Sequence, residues 1–140
     1  MNWRLIVALS GFGLAMALGT VSLISPDIEP LLWLAIFIVC AVAIAREAPG
    51  RYFLHGLAVS LVNSIWITAA HVSFFNRYIA NHPREAAMSA SMPLSSQPRL
   101  LMIIVGPVIG LVSGLVLGLF SVVAARVTRR AVSRPLAKPN

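Results

Sequence analysis

GPVIGLVSGLVLGLF, residues 106–120, places glycine at positions 106, 110, 114 and 118 of an otherwise apolar run. In water, glycine inside a helix costs about 1 kcal/mol against alanine. Four glycines at four-residue steps drift about 40° per step on a helical wheel and form one continuous, slightly wound groove. Such a groove suits a helix in lipid, where no hydrophobic force presses helices together and close van der Waals approach must hold them. The spacing predicts a packing surface at Gly106, Gly110, Gly114 and Gly118. Pro107, inside the row, is expected to bend or start that helix, because its ring disrupts the preceding turn.

The rest of the chain agrees with a lipid setting. Of 140 residues, 59% are hydrophobic and 11% charged, against about 25% charged in an average soluble domain, and mean hydropathy is +0.88. The chain is long enough for one domain and hardly for two. A hydrocarbon core about 30 Å thick needs roughly 20 apolar residues per helix. Four stretches meet or approach that length, at 5–24, 28–45, 52–75 and 100–125. The second has fifteen clearly apolar residues from Leu31 and ends at Arg46, whose stem can snorkel to the interface; the competing reading makes it re-entrant. Lipid offers no partners to an open backbone, so the spans must be helices. The fold expected is an all-α integral membrane protein: four transmembrane helices in a compact bundle (1–125) with a short outer interfacial helix in the loop 76–99, and a basic cytoplasmic tail (126–140). The first stretch has a basic start, but its apolar run is longer than a signal peptide's about 7–15 residues, so a retained anchor is expected.

Orientation follows from the basic residues. Arg4, Arg46, Arg51, Arg126, Arg129, Arg130, Arg134 and Lys138 fall on one side; Arg77, Arg84 and Arg99 fall on the other with Asp27, Glu29 and Glu85. Basic residues concentrate in short cytoplasmic segments, which places both termini in the cytoplasm and the 76–99 loop outside a cell (inner) membrane. The net charge of +7 then reads as a topology signal and a means of touching anionic lipid, not as a nucleic-acid surface. The sequence contains no CxxC, HExxH, Walker loop or GxSxG and no repeat of 20–50 residues, and no cofactor or metal is expected. Cys40, alone within a span, reads as a small apolar filler.

Gly11, Ala15 and Gly19 form a second small-residue row in the first helix. The simplest arrangement packs it against the Gly106–Gly118 row within one protomer; the alternative uses the fourth helix to build a homo-oligomer. The third helix carries most of the polar groups. Ser60, Asn63, Ser64, Thr68 and His71 share a stripe about 140° wide on a 100° wheel, while His55 falls off it near the inner interface. Polar side chains on a membrane helix face protein or water. The stripe is therefore interhelical glue, or the wall of a polar pathway or ligand cleft with His71 at its outer mouth.

In the outer loop, Pro83 suits a first helical turn, with Asn81 or His82 as cap and Glu85 near the positive end. PREAAMSASM, residues 83–92, reads as a short amphipathic helix. His82 with Glu85, and Met88 with Met92, are candidate ligand pairs, but a dedicated metal site shows three or four ligands. The expected role is an interfacial helix with its methionines against the bundle, and a recognition surface. Function is expected to be that of a structural or accessory protein, with the lipid bilayer, other membrane subunits or a second copy of itself as partners. The alternative is a transporter or channel component using the third-helix stripe. An enzyme using His71, His82 and Glu85 lacks a recognisable nucleophile or ligand set.

Overall fold

A computed structural model describes residues 1–132; the expected tail beyond them, with Arg134 and Lys138, lies outside the described residues. The described elements are six helices: α1 (Trp3–Ser22), α2 (Glu29–Glu47), α3 (Tyr52–Ser73), α4 (Phe75–Asn81), α5 (Pro83–Ala90) and α6 (Pro98–Val132). Four of them, α1, α2, α3 and α6, are long and apolar enough to cross a membrane. The second stretch is an unbroken 19-residue helix, about 28 Å long at ~1.5 Å per residue, and does not turn back on itself.

Local chemistry explains the boundaries. Asn2 caps α1, its side chain accepting from the Leu5 N–H at 3.2 Å. Glu29 and Pro30 stand in the first turn of α2, where a negative charge and a missing N–H are both favourable. The link to α3 passes through Gly50, at φ 145°, and Arg51, at φ 50°. The Gly50 angle lies where only a residue without Cβ sits easily.

Three expectations need correction. The loop folds into two short helices rather than one, with α4 beginning at Phe75, where the third span was expected to end. Neither Asn81 nor His82 caps α5 with its side chain. Asn81 Nδ2 donates to the Val21 carbonyl at 2.6 Å, tying α4 to the end of α1. Pro107 does not start α6, which runs through it from Pro98.

The largest correction concerns the glycines. The α6 row packs on α3, not on α1. A Cβ on Gly106 would strike Thr68, one on Gly110 would strike Ser64, one on Gly114 would lie 2.8 Å from Leu57 Cδ1, and one on Gly118 would lie 2.9 Å from the Phe53 carbonyl oxygen. In return, a Cβ on Gly56 would lie 2.7 Å from the Gly118 backbone nitrogen. The reason is a matching row on the partner: Gly56, Ser60, Ser64 and Thr68 also repeat every fourth residue, so two small-residue faces meet in antiparallel register. Gly11, by contrast, has nothing within 4 Å, Ala15 is exposed, and Gly19 meets only Ile24 of the adjoining turn. The glycine of α1 that does pack is Gly13, against Asn63 of α3. Gly11 and Gly13 differ by about 200° around a helix, so the predicted row points away from the bundle.

Helix α3 is thus central, with α1 and α6 along its sides and α2 against α6. We call the end where α1 and α3 begin and α2 and α6 finish the basic end, and the opposite end the loop end. The buried apolar core lies toward the basic end: Leu5, Ile6 and Leu9 of α1, Cys40, Ala41 and Ile44 of α2, Val59 of α3 and Leu117 of α6. Phe37 and Phe120 close it edge to face at 6.4 Å. His55 is fully buried beside this core. Its Nδ1 lies 3.0 Å from the Arg51 carbonyl, which can only accept, and its Nε2 lies 2.9 Å from the Asn2 N–H, which can only donate. Those partners require the neutral ring with its proton on Nδ1.

Candidate functional site

Toward the loop end the helices part around a cavity of about 470 Å³. Helix α3 supplies one wall, with Ser60, Asn63, Ser64, Thr68 and His71. Helix α5 and the turn after it supply Glu85, Met88, Ser89 and Met92, and α4 supplies Tyr78. Helix α2 contributes Glu29, Trp33 and Phe37; α6 contributes Leu101, Met102, Val105 and Ile109. The third-helix stripe and most of the outer-loop candidates, taken separately in the sequence, therefore line one space. His82 does not line it.

Each polar group on α3 is placed by its neighbour. Ser64 and Thr68 sit over Gly110 and Gly106, which lack the Cβ that would exclude them. Asn63 sits over Gly13 in the same way. His71 reaches across to α1, its Nε2 3.0 Å from Thr20 Oγ1. The Thr20 hydroxyl donates to the Met16 carbonyl at 2.9 Å, so His71 Nε2 is the donor to Thr20. One further polar contact ties α3 to α1: Trp66 Nε1 donates to Ser10 Oγ at 3.3 Å. The stripe is thus divided: His71 and Asn63 face α1, Ser64 and Thr68 face α6.

A column of rings stands at the mouth. Tyr78 lies between His71 and His82, at centroid distances of 3.8 and 4.2 Å and 21° to each. His82 is completely buried. Its Nδ1 donates to the Tyr78 carbonyl at 3.0 Å, and its Nε2 lies 3.5 Å from Glu29 Oε2, too far for a good hydrogen bond. The other Glu29 oxygen accepts from Trp33 Nε1 at 3.1 Å. Burial first, then the nearby Glu85 and Glu29 carboxylates, push the Tyr78 phenol well above its usual range. It is a neutral hydroxyl throughout the physiological range.

The predicted ligand pairs separate. His82 is aimed at Glu29 instead of Glu85, and Glu85 lines the cavity. Met88 and Met92 also line it, as apolar surface. Among the described residues, no group of three His, Cys, Asp or Glu side chains is placed to hold a metal.

Three buried polar atoms on the cavity's wall have no hydrogen-bond partner among the described residues: Ser60 Oγ, Asn63 Oδ1 and Glu85 Oε2. Leaving such a group unmatched costs about 1–3 kcal/mol, and atoms that face a space of this size meet water or a ligand there. Unsatisfied polar groups in a concave, mostly apolar space make this the candidate binding site.

Sequence reasoning missed Glu29, Trp33, Phe37 and Tyr78. The first three repeat every fourth residue on α2, a signal that one face of that helix differs from the rest. No protein family matches this chain, and no curated protein or solved structure does either.

Proposed function

We propose that the chain is a multi-pass membrane protein whose loop-end cavity binds a small molecule, as the binding or transport component of a membrane system. Its four long helices span a cell membrane with the basic end in the cytoplasm and α4–α5 outside. Arg4, Arg46, Arg51, Arg126, Arg129 and Arg130 toward one end, against Arg77, Arg84 and Arg99 toward the other, support that orientation. The observation that carries the binding role is the set of unpartnered buried polar atoms on the wall of the 470 Å³ cavity. A volume of that size falls within the roughly 300–1,000 Å³ of small-molecule sites.

Single cysteines at positions 60, 64 and 68, on a Cys40→Ala background, test it. The cavity reading expects all three to react with a small water-soluble thiol reagent added from outside, and a control cysteine at Val59, buried in the core, to stay unreactive. Unreactive cysteines at all three positions would return the stripe to a packing role.

A second reading, that of an accessory protein docking other membrane subunits, draws on a different surface. The α6 glycine row is consumed by α3, but Gly11 and Ala15 present a small-residue face that nothing in the described chain covers. Such faces let a neighbouring helix approach closely in lipid. Cross-linking through a cysteine at position 11 would capture that partner, and capture of nothing but lipid-exposed monomer would remove this reading.

A further inference from the structure

The unpartnered atoms of the cavity also carry information about charge. Glu85 Oε2 and Asn63 Oδ1 can only accept hydrogen bonds when the carboxyl is ionised, and Ser60 Oγ can accept as well as donate. Two carboxylates, Glu29 and Glu85, line the space, and no described Lys or Arg does. Of the loop-end arginines, Arg77 is exposed and the other two are engaged elsewhere. Arg84 lies 3.9 Å from Asp27 on the exposed surface, and Arg99 stacks over the Phe75 ring at 5.4 Å. Glu29 already has company in Trp33 and His82, which leaves Glu85 as the carboxylate with an oxygen to offer.

The remainder of the lining suits the same kind of ligand. Trp33 and Phe37 present aromatic rings, whose faces attract cations, and Met102, Val105 and Ile109 provide an apolar wall. The acceptors are spread along the cavity, not gathered at one point. Ser60 is eleven residues from His71 on α3, about 16 Å at ~1.5 Å per residue. Glu85, beside Tyr78, stands at the mouth; Asn63 and Ser60 lie deeper, and both are over nine-tenths buried.

We propose that the cavity takes an amphipathic protonated amine: an ammonium head at Glu85, an aromatic or aliphatic body along the α2 and α6 walls, with Asn63 and Ser60 receiving any second hydrogen-bond donor. The proposal rests on the cavity being a binding site. It assigns the class of ligand, and the following experiment separates the two.

Full-length protein in nanodiscs of zwitterionic lipid is titrated calorimetrically with three probes that share one body and differ in their heads: 4-phenylbutylamine, 4-phenylbutanol and 4-phenylbutanoate. Empty nanodiscs supply the blank. The amine is expected to bind at least tenfold more tightly than the alcohol, and the acid more weakly than either. Glu85→Gln should erase most of the preference of amine over alcohol, read as the ratio of the two affinities; Glu29→Gln should erode that ratio less, and Glu85→Asp should keep most of it. Equal binding of all three probes, or preference for the acid, overturns the assignment of a cation and leaves the cavity reading standing. Absence of binding with cysteines at 60, 64 and 68 still reactive also overturns the assignment alone. Absence of binding with those cysteines unreactive overturns both. The comparison of probes is made on the natural sequence, so it decides even if a Glu85 variant fails to reach the membrane.

Discussion

The two halves of this bundle are built from the same four helices and differ in nearly everything else. At the basic end α2 offers Cys40, Ala41 and Ile44 to its neighbours, and the space closes over Leu5, Ile6, Val59 and Leu117. Even the buried imidazole there, His55, has both nitrogens matched. At the loop end the same helix presents Trp33 and Phe37 and a carboxylate, Glu29, and none of its residues before Cys40 is fully buried. Small side chains let α2 come in; two large rings and a charged group hold it off, and the cavity is what lies between. The contrast teaches that a single helix face, graded from bulky to small, suffices to build a closed end and an open one.

The closed contact between α3 and α6 is where the largest effect should be found. Gly114→Leu and Gly110→Leu force a branched side chain into space held by Leu57 and Ser64; overpacking of this kind costs about 1–3 kcal/mol and more where backbone is in the way. We expect about 3 kcal/mol lost in thermal or denaturant unfolding in detergent. Gly11→Leu has nothing within 4 Å to strike and should change stability by under about 0.5 kcal/mol, the range of ordinary surface changes, as should Leu111→Ile. If Gly11→Leu and Gly114→Leu melt alike, the assignment of the two rows is wrong.

That pair of variants also marks how far the sequence could be read. The four long apolar helices were legible because about 20 apolar residues in a row have few other uses, and the α6 glycines were legible as a close-approach face. Their partner was not identified. The row at Gly56, Ser60, Ser64 and Thr68 matches theirs in length and period, but its hydroxyls mark it first as a polar stripe and mask its small size. The cavity was half legible: α3 and α5 residues were singled out separately, but their meeting depends on how far α2 stands off, which no local pattern states. His82 was read as a surface cap or ligand; its burial depends on α4, a helix the loop's composition did not announce.

At the mouth a smaller effect is expected, with a pH signature. His82→Ala removes a fully buried ring, its bond to the Tyr78 carbonyl and the neighbour of Glu29. About 2 kcal/mol should be lost, as for other deletions that leave buried polar groups unmatched. The Tyr78 phenol is raised by burial and by Glu85 and Glu29. A group whose folded-state value is raised contributes stability that is present below its unfolded value, about 10 for tyrosine, and lost as pH climbs through and past it. Unfolding curves should therefore weaken on the alkaline side, above about pH 10, and Tyr78→Phe should remove that component. In an ultraviolet titration the Tyr78 phenolate should appear only after the fold gives way. A Tyr78 that ionises near pH 10 in the folded protein would mean that the mouth is open to water and its two carboxylates are far from the ring.

The smallest effect is expected at Asn63, and its smallness is informative. If the α3 polar groups were glue, each would hold a partner on another helix, and replacing Asn63 with Leu would loosen the bundle by about 0.6–2 kcal/mol, the range for hydrogen bonds between membrane helices. Glue of that kind does exist between α3 and α1, but it belongs to His71 with Thr20 and to Trp66 with Ser10. Asn63 Oδ1 has no such partner, so Asn63→Leu surrenders no bond at that oxygen and relieves a buried group that was unmatched. Leucine keeps the branched outline of asparagine with larger methyl ends, and Asn63 lines the cavity, which gives those ends space. The expected change in unfolding free energy is therefore within about 0.5 kcal/mol, while Trp66→Phe, which does break a bond, should lose about 0.6 kcal/mol or more. Measured side by side in one detergent, the two variants separate a residue kept for holding helices together from one kept for facing the cavity. A loss at Asn63 equal to or greater than that at Trp66 would make Asn63 part of the glue, and with it the loop-end half would resemble the closed half more than its unpartnered atoms imply.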